Sequence, residues 1–188
     1  MDKFALLRKE IENLTKNSYA KIDSYHIQSV LKWVLKLKPE SSIALKIAAL
    51  GHDIDRSFSE RKPKREDFDT YEKYKDAHAK MSAQIITELM QKYNFDAKTI
   101  GKVKFLIENH EIGGEEDVEI LKEADSIAFF ENNLDYYKKN YSLHHTKEKI
   151  KFMYKRLSDK TKRLIGEIEL QNKDLENLFR EAISECEN

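Results

Sequence analysis

Apolar residues in this chain recur at steps of three and four from one end to the other, a spacing that lines one face of an α-helix and not a strand. Phe4, Leu7, Ile11 and Leu14 mark a first helix, and Ile22 through Leu37 a second, stopped by Lys38-Pro39. Ser41 or Ser42 can cap a third, from Ile43 to about His52, because a serine oxygen accepts a free backbone N–H at a helix start. Tyr71, Tyr74, His78, Met81, Ile85 and Leu89 form the inward stripe of a long helix. Asp96 caps the next, which carries Ile100, Val103, Leu106, Ile107 and His110 and ends at Gly113-Gly114. Glu115, Glu116 and Asp117 suit the positive start of a helix from about 116 to 131, and helices near 146 to 159 and 161 to 185 close the chain. Residues 54 to 68 break the pattern. This polar stretch, with the run Arg61-Lys62-Pro63-Lys64-Arg65, reads as a long functional loop.

The expected fold is all-α, a single domain over 1–188, since 188 residues are enough to bury a core without staples. Composition narrows the function. Lys+Arg and Asp+Glu both total 34, so wholesale attraction to nucleic acid or an anionic membrane is not expected. A single cysteine, Cys186, excludes an intramolecular disulfide framework and a cysteine zinc cluster. No stretch approaches the roughly 20 apolar residues of a membrane span. Met1 to Glu10 lacks a signal-peptide core, so the expected location is the cytoplasm.

The unusual residues are polar ones at core positions. His26 lies four after Ile22 and four before Val30; His52 closes the row Leu45, Ala48, Ala49; His78 sits in the Tyr74/Met81 stripe; His110 follows Ile107 by three. Asp125 has Leu121 four before it and Phe129 four after, and Asp53 follows His52 directly. One such histidine is more often a core residue bonded to a backbone carbonyl. Several imidazoles and carboxylates aimed into one small core would each cost several kcal/mol if left unpaired. A bound divalent transition metal removes that cost, because carboxylate oxygen and neutral imidazole are its usual ligands. His144 and His145 fall in a turn before Thr146, off any stripe, and are expected in solvent.

In the order His26, His52-Asp53, His78, His110 and Asp125, these residues resemble the signature of the HD superfamily of metal-dependent phosphohydrolases. The match runs from about Tyr25 to Phe130, with intervals of 26, 26, 32 and 15 residues between successive ligands. The resemblance implies a helical bundle with an HD-like metal-binding core at about 22–131 and C-terminal helices at about 146–185. It implies that His26, His52, Asp53 and Asp125 hold one metal, that His78 and His110 hold a second, and that Asp53 bridges them. It further implies an ion among Mn, Fe, Co, Ni or Zn, one or two in number, and hydrolysis of a phosphate ester or anhydride of a small, nucleotide-like substrate by a metal-activated water. Asp53 then counts as catalytic as well as ligating. Two departures are visible: the doublet runs into Ile54-Asp55-Arg56 and not a small turn, and the Gly-Tyr-Pro signature of the cyclic-di-GMP subgroup is missing.

Further residues are candidates for the substrate. Arg56, three past Asp53, suits bidentate phosphate recognition or a salt bridge to Asp55 or Glu60. Glu111 can orient a ligand, act as general acid, or be a surface carboxylate. Lys62, Lys64 and Arg65 can fold over an anion or remain solvated. Tyr136, Tyr137 and Tyr141 can line a base pocket or pack in the core. The basic stretch from Lys147 to Arg163 reads as the outer face of an amphipathic helix, and nucleic acid is not an expected partner. Readings from other classes are a non-catalytic metal- or nucleotide-binding regulatory module and a di-iron oxygenase built on the same ligand cage.

Overall fold

A computed structural model describes residues 2–16, 22–168, 170 and 173–187, with backbone alone at 22 and 23; every regular element among them is helical, and none is a strand. The organising element is α3 (Ile43–Gly51), in which seven of nine residues are buried. A helix apolar on all sides can only be satisfied as the centre of a bundle. Around it pack α1 (Lys3–Lys16), α2 (Ile22–Leu37) and α5 (Ala97–Asn109). α6 (Glu116–Ala128) lies along α2, and α4 (Tyr71–Lys92) along α5. Leu7, Ile11, Val30, Val34, Leu45, Leu50, Ile86, Leu106 and Leu121 meet in one buried core. Each such side chain contributes about 1.5–3 kcal/mol by leaving water.

The helix limits follow from local chemistry. Ser42, not Ser41, caps α3 by accepting from the Leu45 N–H at 3.2 Å, while the Ser41 hydroxyl donates to the Lys38 carbonyl. Asp96 caps α5 through the Thr99 N–H at 2.9 Å. After α5 the chain turns at Gly113 and Gly114 with φ of 95° and 130°, a region that side chains other than glycine rarely adopt.

Four expectations change. Residues 54 to 68 are not wholly irregular: 3₁₀ turns form at Ile54–Ser57 and Arg65–Asp67, and Arg61 ties the segment to α4 through two bonds to Glu88 of 2.8 and 2.9 Å. The helix expected to end near 131 instead passes through a π-turn, Phe129–Asn133, into α7 (Leu134–Asn140). α8 (Leu143–Lys155) starts earlier than 146, because Ser142 accepts from the His145 N–H; His144 and His145 thus occupy its first turn, still exposed. The helix expected over 161 to 185 is broken: α9 (Asp159–Lys162) leads into a 3₁₀ turn, Arg163–Glu167, and α10 runs from Lys173 to Glu187. Residues 169, 171 and 172 of that span lie outside the described residues.

α10 packs on α8, where Lys147 and Lys151 pair with Glu181 and Glu185. The buried Glu123 of α6 accepts from the Ser158 N–H at 2.6 Å and the Thr161 hydroxyl at 2.7 Å, which fixes α9 to the bundle. No helix among the described residues is long and apolar enough to cross a membrane.

Gly51 ends α3 where α4 comes close, and a Cβ there would collide with the buried Ile86 side chain. Gly51→Ala is therefore expected to destabilise the fold by about 1–3 kcal/mol, the usual cost of overpacking. Urea unfolding measures it; an unchanged midpoint would show that Ile86 yields freely.

Candidate metal centre

The apolar α3 carries His52 and Asp53 into the middle of the molecule, where the helix stops and the chain enters its first 3₁₀ turn. Four other segments converge on that point. α2 contributes His26, α4 contributes His78, the C-cap of α5 is His110, and α6 contributes Asp125. All are buried, from His52 at 0 % exposure to Asp125 at 8 %. Their donor atoms gather into two groups, His26/His52/Asp125 and Asp53/His78/His110, and within each group all three lie within 4.8 Å of one another. The groups adjoin. The His52 and His110 rings are 5.2 Å apart, and His52 Nε2 is 3.6 Å from Asp125 Oδ1 and 3.7 Å from Asp53 Oδ2.

Three of the four rings are held by the nitrogen that faces away from the centre. His52 Nδ1 lies 3.1 Å from the Ala49 carbonyl and His110 Nδ1 lies 2.7 Å from that of Ile107, so both Nδ1 atoms carry a proton and both Nε2 atoms face the centre. His78 Nδ1 is 2.7 Å from Asp55 Oδ2, and Asp55 is itself held by the Ser82 hydroxyl at 3.0 Å. A carboxylate behind an imidazole is the arrangement that orients a metal-binding histidine. His26 Nε2 reaches Asp125 Oδ1 at 3.2 Å. Buried His52 Nε2 has no hydrogen-bond partner, a costly state for a polar atom. These residues can hold a metal: the donor set is right, it converges, and of the two buried imidazole nitrogens without a partner, His26 Nδ1 and His52 Nε2, the second lies between two carboxylates.

The electrostatics match. Burial raises the Asp53 carboxyl, but Arg56, His52 and His78 together hold it well below the usual carboxylate range. Asp125 is likewise held well below, burial being outweighed by Arg156 and the imidazoles of His26 and His52. Burial lowers His78, yet Asp53 and Asp55 push it up to about 10; His52 is also raised, by Asp53 and Asp125 against its burial. His110 is lowered, chiefly by burial.

The candidates outside the cage fare unevenly. Arg56 Nη1 pairs with Asp53 Oδ2 at 2.8 Å. Glu111 is no surface group: it lies between His110 Nε2 at 3.8 Å and the cations Arg156 and Lys75, each at 3.6 Å. Both line a cavity of ≈ 400 Å³ that opens over Asp53 and Asp125, and Lys62, Tyr71, Tyr74, Tyr136, Tyr137 and Tyr141 contribute to its wall. Lys64 and Arg65 are exposed, and Arg65 bonds the Phe68 carbonyl.

Sequence periodicity missed three residues. Asp55 is fully buried on a 3₁₀ turn, where no helical stripe announces it. Arg156 is a second: its Nη1 lies 2.9 Å from Asp125 Oδ2, while its Nη2 donates to the His110 carbonyl at 3.3 Å. The third, Lys149, lines the cavity. The stretch from Lys147 to Arg163 is therefore not simply an outer face. The available signal was the spacing of Lys149, Met153 and Arg156, four and then three residues apart.

A pH dependence follows. With a folded pKa of about 10 against 6.5 in the unfolded chain, His78 contributes stability that is complete below pH 6.5 and lost as pH rises towards 10. A divalent cation needs the neutral ring, so its stabilising effect must grow over the same interval. Melting temperatures of chelator-treated protein are expected to fall between pH 6.5 and 10, and the shift on adding Mn²⁺ or Zn²⁺ to rise. A pH-independent shift would contradict this.

No curated protein and no solved structure matches this sequence. A family model does, described as a domain of unknown function, DUF4202, and it matches residues 8–178. That span takes in α2 to α9 and every ligand of the cage, and the chain belongs to the DUF4202 family.

Proposed function

We propose that the protein is a metal-dependent phosphohydrolase that cleaves a phosphate ester or anhydride of a nucleotide or small metabolite. The observation that carries the reading is the pair of adjoining His/Asp groups at the floor of one cavity whose walls are cationic and aromatic. The order of the six ligands along the chain, and its resemblance to the HD superfamily, add to it. Divalent ions bound there would lower the pKa of a water and neutralise charge on phosphoryl oxygens.

The chain's own groups do the rest. His26, His52 and Asp125 would hold one ion and Asp53, His78 and His110 another, with Asp53 close enough to His52 to serve both. Asp55 fixes the His78 ring, and the Ala49 and Ile107 carbonyls fix those of His52 and His110. Arg56 faces the cavity beside Asp53 and suits a phosphoryl oxygen. Glu111, steadied by Arg156 and Lys75, is placed to orient the attacking water. In the reaction the water oxygen bonds to phosphorus as the bond to the leaving oxygen breaks, and the proton leaves with that oxygen or passes to solvent.

One observation favours a second reading, a non-catalytic ligand-binding module: Arg56 and Arg156 already pair with Asp53 and Asp125, so the carboxylates are compensated without ions. Such a module would gain stability from ligand and release no product.

Chelator-treated protein reloaded singly with Mn, Fe, Co, Ni or Zn is expected to release phosphate from members of a panel of nucleotides and phosphomonoesters. Asp53→Ala should abolish that release, and Asp55→Asn should weaken metal affinity by about 10–100-fold, the usual effect of removing an orienting carboxylate. Phosphate release assays and metal titration measure these. Metal-loaded, folded protein inactive across the panel would overturn the enzymatic reading.

A further inference from the structure

Lys149 is a cation of the cavity wall that the cage does not employ. It shares a stripe of α8 with Met153 and Arg156, and all three line the cavity. Arg156 is engaged by Asp125, Glu111 and the His110 carbonyl. Lys149 has no such engagement: among the described residues its ammonium makes no hydrogen bond and no ion pair. It lies instead over two rings, 5.4 Å from the centroid of Phe129 and 5.0 Å from that of Phe152. The acidic groups facing it, Asp125 and Glu111, lie beyond ion-pair distance and already face Arg156, and Arg56 adds a further positive charge nearby. A half-buried ammonium that lies over aromatic faces without an ion-pair partner keeps most of its capacity for an anion. Divalent ions in the cage would make the cavity more positive still, so a ligand with a single charge would leave Lys149 uncompensated.

We propose that Lys149 is a phosphate-binding residue, and that the cavity takes a substrate with two or more phosphates, the reacting one at the cage and a neighbouring one at Lys149. This rests on the phosphohydrolase reading for the reacting group, but the anion site itself does not. Lysine suits the role as a mobile point charge, without the fixed fork of arginine.

The test uses inorganic pyrophosphate and orthophosphate as probes, titrated calorimetrically into chelator-treated and Mn²⁺-loaded protein. Lys149→Met is expected to weaken pyrophosphate at least about 10-fold in both forms and to change orthophosphate binding to loaded protein by less than about 3-fold, while Lys149→Arg retains most of the pyrophosphate affinity. In wild-type protein carrying dimethylated lysines, the Lys149 resonance, assigned by its absence from Lys149→Arg, should move on adding pyrophosphate. Equal pyrophosphate affinity in Lys149→Met, an unmoved resonance, or no pyrophosphate binding by wild type in either form would each overturn the proposal. If pyrophosphate binds through Lys149 but no metal-dependent turnover occurs, the phosphohydrolase reading fails and the anion site stands.

Discussion

The structure depends on fixing imidazole rings from behind. His52 and His110 each occupy the C-cap of a helix, and each gives its Nδ1 proton to a carbonyl three residues back in the same helix. Those carbonyls belong to the last turn, where the helix's own i to i+4 bonds run out. One bond thus uses a carbonyl of the helix end, that of Ile107 also accepting the His110 backbone N–H at 3.4 Å, and aims the opposite nitrogen at the centre of the bundle. His78 lies inside a helix and finds no free carbonyl, so a carboxylate, Asp55, takes that place. Without these anchors, buried lone pairs would have no defined direction and the cluster would be only a burden of unsolvated polar atoms.

Much of this was legible in the sequence. The period of three and four set out the helices and showed that His26, His52, His78, His110 and Asp125 stand where apolar residues belong, and the structure brings these side chains together. The readable residues share one property, a place on or at the end of a helix with a clear apolar stripe. Asp55 lies on a 3₁₀ turn two residues past Asp53, where neither helical nor strand period applies. Arg156 and Lys149 were hidden for another reason: α8 buries Thr146, Ile150 and Met153 against the bundle, while Lys149, Met153 and Arg156 form an adjoining stripe over the cavity. A chain pattern cannot distinguish a charged stripe that faces solvent from one that faces other charges. The break before α10 also escaped, because the apolar spacing runs through it.

The bundle and the cavity wall share one apolar core, and the wall is fastened by ion pairs as well. That core runs from Leu7 and Ile11 of α1 through Ile150 and Met153 of α8 to Leu178 and Phe179 of α10, and close-packed apolar contact transmits small displacements. α8 is held to α10 through Lys147, Lys151, Glu181 and Glu185, ion pairs on its far side that salt weakens.

The π-turn at Phe129–Asn133 carries a consequence for how such a cavity can be reshaped. It holds one residue more per turn than the helices on either side, which offsets α7 by roughly 100° about its own axis. Tyr136 and Tyr137 reach the cavity in that phase. Losing a single residue from this segment would restore a continuous helix and rotate the tyrosines away, leaving Asp125 one turn upstream undisturbed. A change of length there would reshape the mouth of the cavity above an unaltered floor.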